Sequence, residues 1–216
     1  SFFALLAIFT STQLGIQLLY MLMELGMNQF GFSMNEAMES AGGSMNSLSM
    51  FLYVSLGAPI SEELLFRGLI LRSMEPYGKK FAIFGSALLF GLYHANLIQI
   101  PFAFAVGLIL GYVTVEYSLV WSIALHMFNN LVLADLLARL TASWPEMALG
   151  TLNLVLFGGS ALLSVVILSA NRKRIRTYRN GEWMDSRCLK CFFLSPGILV
   201  MAAAMCVSMI TMLFAL

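Results

Sequence analysis

The chain has 216 residues, 60% of them hydrophobic and 11% charged, with a mean hydropathy of +0.86. That combination lies outside soluble domains and inside polytopic membrane proteins. Twelve Lys and Arg against 11 Asp and Glu leave no basic face for a nucleic acid, and three cysteines cannot build a disulfide framework.

A spanning helix needs about 20 mostly apolar residues. Segments 2–23, 46–74, 81–99, 102–118, 120–140, 148–169 and 196–216 meet that need. The first carries no basic leader and reads as a span, not a signal peptide. After it, Ser33 and Glu36 have capping-box spacing, and Gly42 and Gly43 would stop the helix they open. This predicts a short outer interfacial helix with Phe30, Phe32, Met34 and Met38 on its apolar face; an irregular loop is the competing reading. Pro59 predicts a kink or break in the second span. The fourth span is short, and Pro101 alone separates it from the third. "GLILG" at 107–111 has the small-residue spacing of closely packed helices.

Stretch 171–192 is the one substantial polar insert. Cys188 and Cys191 within it lack two further ligands for structural zinc and read as thiols near enough to the membrane for acylation. The expected fold is all-α: a single transmembrane domain over 1–216, about seven spans, a short outer interfacial helix and a basic cytoplasmic loop.

Ten of the 12 cationic residues fall in two inter-helix stretches, Arg72 to Lys80 and Arg172 to Lys190. The positive-inside rule puts both in the cytoplasm, and with them the N-terminus of this multi-pass protein. Segment 24–45 then lies outside, where Glu24, Glu36 and Glu39 occur without Lys or Arg. The basic loop is suited to anionic lipid headgroups.

"SEELLFRG" at 61–68 places three charges in the second span, each costing about 2.5 to 3.5 kcal/mol at its centre. Glu63 and Arg67 are four apart, acid before base, and can pair along one face. Glu62 points about 100° away and needs a partner from another span, or water. The two histidines, His94 and His126, lie in other spans. Carboxylate and imidazole lining a wet cavity are the parts of acid–base catalysis. Asn130 follows His126 by four residues on the same face, whereas Asn129 is off it. Counted from the cytoplasmic ends, Glu62 and His94 lie deeper than His126, so the fifth span is expected to begin deeper than its neighbours.

"EELLFR" (Glu62, Glu63, Arg67), "FGLYH" (Phe90, His94) and "HMFNN" (His126, Asn130) occur in that order. Together they resemble the CAAX protease and bacteriocin-processing family, which includes type II CAAX prenyl endopeptidases, over a catalytic core of about 46–140. The resemblance implies an all-helical intramembrane endopeptidase with a cavity open to the cytosol. It implies Glu62 as the base that activates water, His94 helping to hold that water, and His126 with Asn130 stabilising the oxyanion. Glu63 and Arg67 would be the supporting pair, with Phe90 beside them.

No metal is favoured by the resemblance; a zinc enzyme would use Glu62, His94 and His126, although the chain has no His-Glu-x-x-His helix. There is no Gly-x-Ser-Gly motif, and the aspartates are Asp135 and Asp185. From other classes, a non-catalytic immunity or scaffold protein and a proton-coupled transporter compete. Partners are a peptide or protein at the membrane, prenylated or a peptide precursor, and no nucleic acid.

Overall fold

The structure is a computed structural model describing residues 2–29, 31, 47–95, 99–181 and 186–214. Among these, every regular element is helical. The expected interfacial helix at 33–43 lies outside the described residues, as does Asp185.

In chain order the helices are α1 (Phe2–Asn28), α2 (48–74), α3 (Lys79–Tyr93), α4 (Gln99–Glu116), α5 (Leu119–Thr141), α6 (Glu146–Ala170), α7 (Arg172–Asn180), α8 (Ser186–Phe193) and α9 (Pro196–Phe214). Four are long and apolar enough to cross a membrane, namely α1, α4, α5 and α6; α8 and α9, bent by 49° at their junction, make a fifth if taken as one span. Two of the seven expected spans fall outside this set. The helix over 48–74 carries Glu62, Glu63 and Arg67, and α3 has only 15 residues. That is about 22 Å of helix against a hydrocarbon core of about 30 Å. The stop comes early because Ala95 takes a left-handed conformation, φ 50°, immediately after His94.

Helix α4 is the axis of the bundle. Its Val106, Leu110 and Val113 are buried against Leu5 and Phe9 of α1 and Leu125 of α5, while Ala103 packs with Phe66 of α2 and Phe90 of α3. The glycine spacing at 107–111 does what was expected. A Cβ on Gly107 would lie 3.1 Å from Ala87 Cα, and one on Gly111 would lie 3.2 Å from Ile83 Cγ2. The two glycines let α3 and α4 approach closely.

Of the kink or break expected at Pro59, the break is absent: the chain stays helical from 48 to 74. Proline's missing N–H is accommodated by a widened turn at Tyr53–Gly57, closed by Ala58 N–H donating to Tyr53 O. Similar widened turns occur at Leu64–Leu71 in α2, which includes Arg67, and at Phe128–Leu136 in α5, which includes Asn129 and Asn130. Helix α5 starts deep: its first residue, Leu119, lies against Gly68, well inside α2. That offset brings His126 level with Glu62 and Glu63.

Helix α7 is stapled at its C-terminus, where Lys80 Nζ donates to Arg179 O and Gly181 O at 2.9 Å each. A cation on the last carbonyls of a helix is the favourable end of the helix dipole.

Candidate active site

Glu63 is the hub of the buried charges. It is fully buried, as is Arg67, whose Nη1 lies 3.0 Å from Glu63 Oε1. The pairing is the i, i+4 one that the sequence spacing predicts. Arg67 also donates from Nη2 to Gly107 O at 3.3 Å, and its guanidinium sits 4.3 Å over the Phe90 ring. Gly107 is needed here too, since a Cβ there would meet Arg67 Nη2 at 3.3 Å.

Two further groups reach Glu63 from α5. Ser122 Oγ hydrogen-bonds Oε2, and His126 Nδ1 lies 3.0 Å from Oε1. A carboxylate accepts, so Nδ1 carries the proton and His126 presents Nε2 to the other side. There it faces Glu62, whose Oε2 is 3.8 Å away. Glu62 is 18% exposed at its side chain where Glu63 is 0%. At 3.8 Å the two are too far apart for a direct hydrogen bond but close enough to interact as charges.

His94, at the end of α3, is half-buried. Its Nδ1 donates to Phe90 O at 2.9 Å, because a carbonyl can only accept, so this imidazole also presents Nε2. Both histidines pack edge-on against Phe90, with centroids 4.9 Å (His94) and 5.7 Å (His126) away, and both lie within electrostatic reach of Glu62. Phe90 is thus the wall on which both rings and the arginine are set.

Asn130 is placed differently from the others. Its Nδ2 donates to Val54 O at 3.1 Å. In the widened turn the donor to that carbonyl would come from Pro59, which has no N–H, while Ala58 N–H is spent on Tyr53 O. The Asn130 amide fills the gap. Its Oδ1 accepts from Asn129 Nδ2 at 3.1 Å, and Asn129 Oδ1 accepts from Gln13 Nε2 at 2.7 Å. The three amides form a relay from α1 through α5 to α2.

Sequence reasoning missed Ser122 and the Gly107 carbonyl. Ser122 precedes His126 by four residues, on the same helical face, and that spacing was the available signal. Among the described residues no three His, Cys, Asp or Glu side chains gather as a metal-ligand set. Cys188 and Cys191 are free thiols on α8.

Fold and site define an integral membrane protein of apolar helices, with a carboxylate–imidazole cluster held inside the bundle. Residues 44–132 match the model of the family described as Type II CAAX prenyl endopeptidase Rce1-like, and all three motifs lie inside that segment. No curated protein and no solved structure matches the chain.

Proposed function

We propose that the protein is an intramembrane endopeptidase that hydrolyses a peptide bond of a membrane-associated or lipidated peptide with a glutamate-activated water. The observation that carries this reading is the pairing of the partly exposed Glu62 carboxyl with His126 Nε2 at 3.8 Å, above a fully buried Glu63–Arg67 pair. The match to the CAAX prenyl endopeptidase family supports the substrate class.

In the proposed reaction a water between Glu62 and His94 Nε2 gives a proton to Glu62 as its oxygen adds to the scissile carbonyl. His126, its Nδ1 held by Glu63, takes the role of oxyanion donor from Nε2, which requires a proton there in that step; the second N–H of Asn130, left over from the bond to Val54 O, is the other donor. Glu62 then returns its proton to the leaving nitrogen as the C–N bond breaks, leaving a carboxylic acid and an amine, between which the acid proton passes to give carboxylate and ammonium. Glu63, fixed by Arg67 and Ser122, orients His126. The proposed steps use these side chains and water, with zinc on Glu62, His94 and His126 as the competing reading. Turnover that survives chelation with no bound metal supports the proposed steps; turnover lost on chelation and restored by zinc contradicts them.

The same reading takes the bundle as a single domain of seven crossings with its catalytic core over about 46–140. The cavity and N-terminus face the cytoplasm, where the basic stretches lie. Arg172, Arg176 and Arg179, with Leu168 and Ile175, line a groove of about 530 Å³ suited to anionic lipid headgroups.

The test is cleavage of a prenylated peptide ending in Cys-aliphatic-aliphatic-X by purified protein. Glu62→Gln is expected to abolish turnover and leave the thermal melt unchanged. A scaffold protein would show no turnover in either form.

A further inference from the structure

We propose that the amide-lined cavity between α1, α5 and α6 holds the backbone of a short uncharged stretch of the substrate peptide next to the scissile bond. The inference rests on the peptidase reading and adds a binding site to it. The cavity has a volume of about 310 Å³, and Gln13, Gln17, Asn129, Thr141 and Asn153 line it among leucines and alanines.

Polar side chains in spanning helices are costly and face either a partner or a wet path. Gln13 and Asn129 bond each other. Gln17 and Asn153 make no hydrogen bond to another described residue, although both lie within helices apolar enough to span a bilayer. Their amides are therefore available to a ligand.

The chemistry of the lining selects that ligand. No charged side chain lines the cavity, which leaves nothing to hold an ion or a lipid phosphate. An acyl chain has no use for four amides. A primary amide both donates and accepts, which matches the N–H and C=O of a peptide unit. The volume is at the lower end of the range for ligand sites, which limits the occupant to a short segment.

Position ties the cavity to the reaction. Asn129 follows His126 by three residues, about one helical turn or roughly 4.5 Å along α5. It also hydrogen-bonds Asn130, whose amide is fixed on Val54 of α2, the helix that carries Glu62. At about 3.3 Å per residue, an extended peptide bound at the Glu62–His126 gap would need only a few residues to reach the Asn129 end of the cavity.

The experiment uses the Glu62→Gln protein in lipid nanodiscs with a farnesylated peptide ending in Cys-aliphatic-aliphatic-X, carrying photoleucine at either aliphatic position. Irradiation followed by peptide mapping is expected to place adducts on α1 near Gln13 and Gln17 and on α6 near Asn153, besides those around position 62. Adducts around position 62 alone overturn the inference and leave the peptidase reading standing. The absence of any adduct overturns both. In the active protein, Gln17→Leu with Asn153→Leu is expected to raise KM for this peptide at least about fivefold, the loss of two neutral hydrogen bonds, with kcat within about twofold. An unchanged KM also counts against the site.

Discussion

Two acid–base pairs share one spacing and meet opposite fates. Glu63–Arg67 on α2 and Asp135–Arg139 on α5 both put the acid four residues before the base. The first is sealed, 0% exposed at both side chains; in the second, Asp135 is 7% exposed and Arg139 54%. Arg139 Nε lies 2.9 Å from both Asp135 oxygens, the better geometry of the two. Helical spacing therefore sets which groups pair, and the packing around them sets what the pair is worth. In the second pair Arg139 can trade its partner for water, while Asp135 is itself buried. Neither member of the sealed pair can, because Phe90, Gly107 and Ser122 occupy the space that water would need.

The comparison can be broken by removing one cation from each pair. Arg67→Leu strands a buried carboxylate and is expected to cost about 3 to 5 kcal/mol, seen as a large drop in the thermal melt in detergent. An effect below about 1 kcal/mol would mean that the Glu63 pocket admits water. Gly107→Ala pushes a methyl against Ala87 and the Arg67 guanidinium and is expected to cost about 1 to 3 kcal/mol in the same assay. Ser122→Ala removes one of the bonds on Glu63 and is expected to cost about 1 to 3 kcal/mol, toward the lower end because Arg67 and His126 remain. Arg139→Leu removes a cation that is more than half exposed but leaves Asp135 buried without its partner, and is expected to cost about 1 to 3 kcal/mol, less than Arg67→Leu. An Arg139 effect as large as that of Arg67 would remove burial as the deciding variable.

The charged cluster was largely legible in the sequence because an unpaired charge in a span is expensive and needs a partner. Glu63 with Arg67, and Glu62 seeking a partner from another span, follow from spacing and cost alone. Gly107 was legible as a packing residue, yet its second task, a carbonyl offered to Arg67, depends on a contact between helices 40 residues apart. Ser122 was overlooked because serine is common in membrane helices and its spacing from His126 means little until Glu63 is known to lie opposite. The Asn130 bond was not legible. It requires knowing that the chain crosses Pro59 by a widened turn rather than a break, and only that turn frees Val54 O. The extent of α3 was misjudged because the apolar run continues past His94, while the helix ends where Ala95 turns left-handed.

The adjacent carboxylates Glu62 and Glu63 provide the most direct measurement of the central claim. Turnover of the prenylated peptide and the thermal melt are to be recorded for Glu62→Gln and Glu63→Gln side by side. The account predicts that Glu62→Gln melts like the parent protein and loses turnover by at least about a thousandfold, while Glu63→Gln melts lower because Arg67 is left without its charge partner. Turnover retained by a folded Glu62→Gln protein would contradict it.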